Sequence, residues 1–545
     1  MPNTYRFLIV FALCTAIQAK GQQPIRLITL DPGHFHAALV QKSMYPGVDP
    51  VVQVYAPAGP DVQSHLDKVQ AYNTREKDPT RWEEKVYTGN DYLQKMINDK
   101  AGNTVVLAGN NKEKTSYILQ SLQAGFHVLG DKPMAIDSKG FNTLLKAFET
   151  AAARKRVLYD IMTERFEITS ILQRELAMNT ALFGTLEKGS PEHPAIVAES
   201  VHRWYKYVSG NVLTRPAWFF DVTQQGEGIV DVMTHLVDLV QWTAYPNQIL
   251  DYKKDIKVNG ALHWPTTLGL TQFKTLTKQD NFPGYLKKYT RVGQDTVLEV
   301  YANGSIDYQL RGAYVRTVAT WTYQAPPGAD DTYTSLMRGS KARLIIRQGP
   351  EQQYHPTLYI EPTTAAYGNT IEQEFKKLQI KYPGIELKKS TAGYEVLIPD
   401  QYKEGHESHF ARVTEKFLGY VRHGNMPAWE VPGMLARYYT TTRALAMAAS
   451  DTLTARIAPT LNGHTRDLAR LRIDTLSQSP GQAFHRPFAS SDDMLLIVKD
   501  GQLKVSIDSS TKKLGPGGIA LIPAGTQYTL SNPGKGANHY FSFYL

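Results

Sequence analysis

Residues Asn103–Pro133 read NTVVLAGNNKEKTSYILQSLQAGFHVLGDKP. The apolar run that ends at Ala108 is typical of a buried strand, and Lys112–Ala124 is predicted to be a helix. Phe126–Leu129 is predicted to be a second buried strand. Two buried strands joined by a helix form a crossover unit, so this stretch predicts a parallel sheet.

The same alternation continues on both sides of this stretch. Upstream, Ile25–Leu30 and Val51–Tyr55 have the composition of buried strands. Downstream, Ser138–Arg154 is predicted to be a helix and Val157–Ile161 a strand. Strands regularly separated by helices indicate a doubly wound α/β fold, which we assign to residues 24–165.

The pattern changes after this first domain. Residues 166–450 contain helices and many strands in which Trp, Tyr and Thr alternate, which predicts an α+β domain with a large, mainly antiparallel open sheet. Residues 451–479 are predicted to be a linker. Residues 480–545 alternate short strands with Gly/Pro turns, which indicates a small all-β barrel.

Bulk composition excludes several classes of protein. With 42% hydrophobic and 20% charged residues the chain has an ordinary globular composition, so wholesale disorder is not expected. Its net charge of +9 is modest for 545 residues and its basic residues are scattered, so nucleic-acid binding is not predicted. No segment beyond the N-terminal region is long and apolar enough to predict a transmembrane helix.

The N-terminus has the pattern of a signal peptide. Arg6 precedes the apolar run Phe7–Ile17, and Ala19 offers a small residue at a cleavage point. We therefore predict a signal peptide at residues 1–19 and export to the periplasm or another extracytoplasmic space, with a buried first helix as the alternative. Because Cys14 is the only cysteine, the mature chain would contain no disulfide and no thiolate metal site.

The turn Leu30–Ala38 reads LDPGHFHAA and follows the first predicted strand. A nucleotide-binding fold holds its diphosphate at this turn, against a helix N-terminus. Of a G-x-G-x-x-G pattern only the middle glycine, Gly33, is present, with Asp31 and His36 at the outer positions. The second strand does not end in an acid for the ribose, since Asp61 comes late. A turn without a ligand is the alternative.

The strand end Gly130–Pro133 is a stronger candidate for chemistry. Ligands bind at the carboxyl edge of a parallel sheet, and Pro133 restricts Lys132 to an extended conformation. A lysine held in this way can donate a hydrogen bond to a substrate hydroxyl and stabilise charge on its oxygen. A plain surface turn is the alternative.

The segment Gly226–Trp242 reads GEGIVDVMTHLVDLVQW and predicts a helix over residues 228–242 that is apolar on most sides. Its polar residues fall on one stripe, at Asp231, Thr234, His235 and Asp238. Asp231 can orient His235 from one turn away, which would give a general base. The alternatives are a buried polar stripe satisfied by a strand and, as a minor one, a metal site that lacks a nearby third ligand.

Three ordered motifs in residues 25–450 resemble the Gfo/Idh/MocA family of oxidoreductases. The first, Val105–Pro133, is similar to a family loop of the A-T-P-N type followed by A-G-K-H-V-L-x-E-K-P. The second, Arg165-Phe166, is similar to the family's Arg-Phe step after the last strand. The third is similar to G-G-G-x-x-x-D-x-G-x-H-x-x-D-x-x-x-W and matches at Gly226, Gly228, Asp231, His235, Asp238 and Trp242.

This resemblance implies a Rossmann-like dinucleotide-binding domain, a substrate domain and a tightly bound NAD(H) or NADP(H). It implies that His235 accepts a proton from a sugar hydroxyl, that Lys132 polarises that oxygen and that Asp231 positions the histidine or binds a hydroxyl. The cofactor-binding residues that we carry over are Gly33, His34, Asn110, Asn111, Lys132 and Pro133. The substrate-binding residues that we carry over are Arg165, Trp218 and Asp238. No metal site is expected.

The C-terminal region resembles a different family. Gly517–Asn532 is similar to the second cupin motif, but Tyr528 stands where the metal-binding histidine belongs. The first cupin motif is not recognisable in His485–Gly501. We therefore predict a cupin-like barrel without a metal, serving packing, assembly or sugar contact.

Three functions remain open at this stage. The first is an exported oxidoreductase that retains NAD(H) and transfers hydride between two sugar or glycoside substrates. The second is a redox-neutral, NAD-dependent glycosidase, and the third is a non-catalytic carbohydrate-binding protein with a degenerate nucleotide site. Lys132, Asp231 and His235 favour the first two, whereas the missing glycines favour the third. The sequence leaves open the sugar, the electron acceptor and the oligomeric state, for which a homo-oligomer is one option.

Overall fold

The computed structural model describes residues 24–208, 211–292, 296–326, 329–450, 472–486, 493–507, 510–524 and 526–544. The predicted signal peptide and most of the predicted linker lie outside these ranges. Among the helices of the described residues, none has the length and the apolar character that a membrane crossing requires.

The first region is a six-stranded parallel sheet whose strands are connected by helices. Its strands are β1 Leu27–Leu30, β2 Val51–Ala56, β3 Glu83–Thr88, β4 Thr104–Leu107, β5 His127–Asp131 and β6 Leu158–Ile161. Its helices are α1 His36–Val40, α2 Pro60–Thr74, α3 Tyr92–Asp99, α4 Asn111–Ala124 and α5 Ser138–Ala153. The strand order is β3-β2-β1-β4-β5-β6, with every pair parallel. This confirms the predicted doubly wound sheet.

The strand order reverses direction between β1 and β4, and ligands bind in the crevice outside the carboxyl ends of strands at such a point. Every residue of β1 and of β4 is buried, which explains their continuous apolar sequences. The edge strand β3 is different, because its sequence EEKVYT is mostly exposed. Charged residues are common on edge strands, where they discourage pairing with other chains.

The second region is built on a ten-stranded mixed sheet. Its strands are β7 Ile196–Tyr205, β10 Ile256–Gly269, β11 Thr290–Val292, β12 Thr296–Leu310, β13 Ala313–Gln324, β14 Thr332–Arg338, β15 Ala342–Arg347, β16 Thr357–Pro362, β17 Glu386–Lys389 and β18 Tyr394–Leu397. A separate pair of short strands is β8 Tyr207–Val208 with β9 Asn211–Val212. The order is β10-β12-β13-β7-β14-β15-β16-β18-β17, with β11 beside β12. Only β7 and β13 pair in parallel among these described strands, which confirms a mainly antiparallel sheet.

The helices of this region pack the two sheets together. They are α6 Ile168–Met178, α7 Val222–Gln225, α8 Met233–Ala244, α9 Leu270–Thr277, α10 Gly368–Lys381, α11 His406–His423 and α12 Glu430–Ser450. Helix α8 contacts β7 and β13 of the large sheet. Helix α12 contacts α5 of the first region as well as α8 and β10 of the second. The start of α8 is thereby held against the carboxyl edge of the first sheet.

The third region consists of two four-stranded antiparallel sheets. One has the order β19 Arg472–Gln478, β26 Asn538–Tyr544, β21 Met494–Asp500 and β24 Ile519–Ile522, and the other has β20 Ala483–Arg486, β25 Tyr528–Ser531, β22 Leu503–Ile507 and β23 Ser510–Leu514. The small all-β region is therefore present as predicted, and its cupin-like character stays a prediction. Strand β19 occupies the last part of the predicted linker and pairs with β26, so the structure corrects that boundary.

Candidate functional site

A cavity of about 400 Å³ lies between the carboxyl edge of the parallel sheet and the start of α8. Lys132, directly after β5, lines the cavity together with Asp231 and His235. Part of the wall is aromatic, formed by Phe219, Trp321 and Tyr333. A concave site with apolar walls and a few converging polar groups is typical of small-molecule binding.

Lys132 and Asp231 form an ion pair between the two large domains. Lys132 Nζ donates to Asp231 Oδ1 at 2.5 Å, and the two side chains are only 10% and 6% exposed. Gln225 Nε2 donates to the second oxygen, Oδ2, at 3.0 Å. Because both carboxylate oxygens are occupied by protein donors, Asp231 holds the ammonium group in one position on the cavity wall.

His235 is a partly buried imidazole in the first turn of α8. Burial, and then the charge of Lys132, hold the pKa of His235 well below its ordinary value of 6.5. The ring is therefore neutral at pH 7 and can accept a proton. Its Nδ1 atom is buried and has no hydrogen-bond partner in the described residues. This imidazole is available for a ligand.

The structure corrects the predicted contact between Asp231 and His235. The described side-chain hydrogen bonds of Asp231 are with Lys132 and Gln225 and not with His235, and helix α8 begins only at Met233, after turns at residues 228–232. Gly228 permits this turn to pack on β12, because a Cβ atom there would lie 1.7 Å from the carbonyl oxygen of Ala302. Asp231 thus holds Lys132, and Lys132 in turn influences the pKa of His235.

A second cavity of about 370 Å³ adjoins the first at the carboxyl ends of β1 and β2. The two cavities share His34, Phe35, Arg215 and Phe219 as lining residues. We call the second cavity the crevice. It occupies the position where a doubly wound sheet binds a nucleotide, next to the point where the strand order reverses.

The loop after β1 packs closely on the end of β4 although two glycines of the fingerprint are replaced. Asp31, at the position of the first glycine, has φ 48°, in a left-handed region that aspartate tolerates better than most residues. Gly109, after β4, lets this loop approach closely, because a Cβ atom there would lie 1.9 Å from the Asp31 carbonyl oxygen. A Cβ atom on Gly33 would lie 3.0 Å from Trp218 Cζ2.

The side chains of the crevice fit a dinucleotide. The backbone amides of Gly33 and His34 donate to the Ala108 carbonyl oxygen at 3.3 and 3.0 Å, so a diphosphate would need other donors. Lys68 and Arg215 line the crevice and offer cationic groups for phosphate oxygens. The crevice also contains carboxylates, Asp31 and Asp61, that can accept hydrogen bonds from ribose hydroxyls.

Asp61 places a carboxylate on the wall of the crevice, although it comes late after the second strand in the sequence. It lies in the first turn of α2, lines the crevice and accepts a hydrogen bond from Trp218 Nε1 at 2.7 Å. Burial, and then the nearby Asp61 charge, raise the pKa of Asp31 to about 6. The Gly59-Pro60 start of α2 was the available sequence signal, because a helix N-terminus after β2 points at the same edge.

The remaining predicted cofactor residues lie outside both cavities. Asn110 caps α4 and donates from Nδ2 to Gln224 Oε1 at 2.7 Å. Asn111 donates from Nδ2 to the Gln225 carbonyl oxygen at 2.7 Å. These contacts join α4 to α7, and neither the two asparagines nor Pro133 line a cavity. Trp218, predicted to bind substrate, instead covers the crevice.

Arg165 and Asp238, also predicted to bind substrate, form part of a buried ionic network. Arg165 donates from Nε and Nη2 to the two Asp238 oxygens at 2.7 and 2.6 Å, and from Nη1 to Glu430 Oε2 at 3.0 Å. Arg437 is 2.9 Å from Asp238 and 3.0 Å from Asp160. Neither Arg165 nor Asp238 lines the described cavities, so the structure places them in the packing between β6, α8 and α12.

Replacing Arg165 by alanine is expected to lower the free energy of unfolding by about 3–5 kcal/mol, because it removes one of the two cations that pair with buried Asp238, leaving Arg437, and one of the two that pair with buried Glu430, leaving Lys416. Urea denaturation of wild type and variant measures this change. The half-exposed pair of Arg316 with Asp307, at 2.7 Å, provides the control. Arg316→Ala should cost only about 0–1 kcal/mol. Equal effects of the two substitutions would contradict the structural role of Arg165.

Replacing Gly109 by alanine is expected to weaken dinucleotide binding by about tenfold or more, since the new Cβ atom would displace the loop at Asp31. Isothermal titration with NAD(H) and NADP(H) measures the loss. Gly260→Ala is the matched control, because a Cβ atom there meets nothing within 4 Å. Unchanged affinity in Gly109→Ala would show that the loop does not hold the nucleotide.

Two protein families match the chain in succession. Residues 36–159 match the Gfo/Idh/MocA family model, described as "Oxidoreductase family, NAD-binding Rossmann fold". Residues 172–449 match a model described as "Putative oxidoreductase C terminal domain", and this second match alone spans about half of the chain. No curated protein matches the chain.

Several solved structures are similar to the chain over most of its length. A "putative oxidoreductase" from Parabacteroides merdae ATCC 43184 is 52% identical, with a TM-score of 0.77 over 79% of this chain and 99% of that one. A levoglucosan dehydrogenase in complex with NADH and L-sorbose is 12% identical, with a TM-score of 0.51 over 78% and 98%. An oxidoreductase domain protein from Kribbella flavida is 14% identical, with a TM-score of 0.51 over 79% and 98%. The last two share the fold with this chain.

Proposed function

Because the chain belongs to the Gfo/Idh/MocA oxidoreductase family, we propose that it oxidises a ring hydroxyl of a sugar or glycoside with NAD(H) or NADP(H) as cofactor. The observation that carries this proposal is the position of a neutral His235 and a fixed Lys132 in one cavity that adjoins the crevice. The levoglucosan dehydrogenase, of the same fold, was crystallised with NADH and a sugar, which supports this substrate class.

The chain's own residues perform the proton chemistry. His235 accepts the proton of the sugar hydroxyl, since its depressed pKa keeps the ring neutral at pH 7. Lys132 donates a hydrogen bond to the same oxygen and stabilises the negative charge that develops there. Asp231 and Gln225 are positioning residues, because they hold the Lys132 ammonium group through the Asp231 carboxylate.

The crevice would hold the dinucleotide. Gly33, Asp61, Lys68 and Arg215 would contact it, with the two cations at the phosphates and Asp61 at a ribose. When bound, the nicotinamide supplies the acceptor for the hydride that leaves the sugar carbon. Phe219 and Trp321 close the substrate cavity with apolar surface, which limits the access of water.

Tight retention of the cofactor is a further part of the proposal. A signal peptide at residues 1–19 would send the chain to the periplasm or another extracytoplasmic space, where free NAD(H) is not expected to be available. An enzyme in that space would have to keep its cofactor and return the hydride to a second substrate. Trp218 packs against Gly33 and donates a hydrogen bond to Asp61. This contact across the crevice would help to retain a bound dinucleotide.

Release of the cofactor on denaturation tests this function. The mature protein is purified and denatured, and the supernatant is analysed by absorbance and mass spectrometry. We expect a stoichiometric dinucleotide, or binding of added NAD(H) or NADP(H) by a preparation that lost it. A protein that carries none and binds none would overturn the oxidoreductase proposal. That result would leave non-catalytic carbohydrate binding as the function.

Glu164 favours a redox-neutral glycosidase as the second candidate. It lines the same cavity as Lys132, and burial, followed by the charge of Glu167, raises its pKa to about 7. A carboxyl group with such a pKa is protonated in part at neutral pH and can donate a proton to a leaving sugar oxygen. Product analysis on glycosides separates the two reactions, since net oxidation yields a ketosugar whereas the second candidate yields the hydrolysed glycoside.

A further inference from the structure

Three side chains with metal-ligating atoms lie together at the wall of the substrate cavity. His36 Nδ1 is 2.9 Å and His34 Nδ1 is 3.5 Å from Asp131 Oδ2. One ligand atom from each of the three residues lies within 4.8 Å of the others. A metal ion with nitrogen and oxygen ligands at about 2.0–2.2 Å separates them by roughly 3–4 Å. The three groups therefore have the spacing of ligands to a single ion.

Two atoms of this cluster lack hydrogen-bond partners. His34 Nδ1 and Asp131 Oδ1 are buried, and neither has a partner in the described part of the chain. The Asp131 side chain is only 4% exposed. Buried polar atoms without partners are costly, and they commonly mark the place of an ion or water. A cation at this point would satisfy both atoms.

Among the described residues, no lysine or arginine forms a direct ion pair with the Asp131 carboxylate. Within the described residues, the ion pairs of its oxygens involve only the two imidazoles. Two lysines lie nearby, and the Lys114 charge favours the ionised carboxylate, but neither ammonium group bonds directly to a carboxylate oxygen of Asp131. Lys132 Nζ is held by Asp231, and Lys114 Nζ is held by Asn111 and by the backbone oxygen of Asp131. A buried carboxylate in these surroundings favours a cation.

We propose that His34, His36 and Asp131 bind one divalent transition-metal ion of the Zn²⁺ class. Two imidazoles with one carboxylate suit such an ion, whereas Mg²⁺ and Ca²⁺ prefer oxygen ligands. Three protein ligands leave at least one coordination position open. Because His34 and His36 line the substrate cavity beside Lys132, a sugar oxygen can occupy that position. The ion would bind and orient substrate, a role independent of the proposed hydride transfer.

This proposal differs from the expectation that the chain holds no metal site. His34 and His36 are two residues apart in the loop after β1, but the third ligand is about a hundred residues away, at the end of β5. Parallel strands bring these two places to the same edge of the sheet. Near Asp231 and His235 the sequence offers no third ligand, whereas the three residues proposed here become neighbours only in the folded chain.

Metal content of the untagged mature protein tests the proposal. The protein is stripped with a chelator, loaded with Zn²⁺, dialysed and analysed by mass spectrometry, with affinity from isothermal titration. We expect one tightly bound ion per chain. His36→Ala and Asp131→Asn should weaken binding by about a hundredfold or more. His65→Ala is the matched control, because His65 is a buried histidine of the crevice whose ring nitrogens have no hydrogen-bond partner among the described residues. It lies outside the three ligands, so this variant should bind Zn²⁺ as the wild type does.

Two results would overturn the site. One is a wild-type protein that retains no Zn²⁺, and the other is equal retention by wild type, His36→Ala and Asp131→Asn. If the variants do not fold, titration of the wild type with Co²⁺ tests whether the protein binds one transition-metal ion. Visible absorption bands that saturate at one equivalent support the site, and their absence contradicts it. These measurements need neither sugar nor dinucleotide, so their outcome is separate from that of the proposed oxidation.

Discussion

Replacing His235 by alanine is expected to lower kcat for sugar oxidation by about a hundredfold or more, the usual contribution of a positioned general base. The partly buried imidazole of His235 lines the cavity and is neutral at pH 7, and no described protein group bonds to its Nδ1 atom. Without it, the hydroxyl proton loses the acceptor that lies beside Lys132 in the cavity. Steady-state rates of ketosugar formation, with wild type and variant at saturating cofactor, measure the effect.

His409→Ala is the control for this substitution. His409 is also a buried histidine whose ring nitrogens lack partners in the described residues, but it lies on α11 and lines neither cavity. Its removal should change stability without a comparable loss of kcat per folded molecule. If His235→Ala retains near-normal kcat while its thermal midpoint matches that of the wild type, His235 is not the proton acceptor.

Replacing Lys132 by methionine is expected to lower kcat by about a hundredfold and to move the acid limb of the pH–rate profile to higher pH. The first effect follows from the loss of the donor to the developing oxygen charge. The second follows because the Lys132 charge disfavours protonated His235 and lowers its pKa. When that charge is removed, the pKa of His235 rises and the base becomes protonated at a higher pH. Steady-state kcat measures the first effect, and the dependence of kcat/KM on pH measures the shift of the acid limb.

Lys112→Met serves as the control, because Lys112 is an exposed residue of α4 outside both cavities. It should leave both the rate and the acid limb unchanged. Lys132→Met also leaves Asp231 as a buried carboxylate without its cation, so folding is checked by thermal denaturation. A folded variant that loses activity with an unmoved acid limb would show that Lys132 does not influence His235.

The sequence predicted the elements whose apolar residues are continuous and missed those that are not. The strands near Val105 and Val128 are buried on both faces, so their composition alone marks them. The strand that begins at Glu83 lies at a sheet edge, where charged residues are tolerated and no apolar pattern is required. A buried strand is thus easier to predict than an exposed one.

The site could be predicted in its residues but only partly in its contacts. The ion pair between Lys132 and Asp231 joins residues 99 positions apart, and strand-end and helix-start patterns had pointed to both. The local pattern at Asp231 failed, because tight packing of Gly228 on Ala302 delays the helix until Met233. The periodicity of polar and apolar residues along one helix does not reveal a tertiary contact such as that between Gly228 and Ala302.

Residues with long-range partners were the hardest to assign. Arg165 and Asp238 have charged side chains of the kind that often bind ligands. Their buried ionic network includes Glu430 and forms only because α12 packs beside α8 in the folded chain. Asp61 follows the second strand at a distance that a strict motif excludes, yet the start of α2 brings it to the crevice. These roles depend on the packing of elements that are distant in sequence.

Rapid mixing of the NAD-loaded enzyme with sugars and glycosides tests the central claim most directly. The absorbance of the nicotinamide follows hydride transfer in a single turnover, and tryptophan fluorescence reports sugar binding independently. We predict that a bound sugar reduces the nicotinamide, and that deuterium at the reacting ring carbon slows the step. The contradicting result is that sugars of the panel bind to the wild-type enzyme, as fluorescence reports, but none of them reduces the nicotinamide.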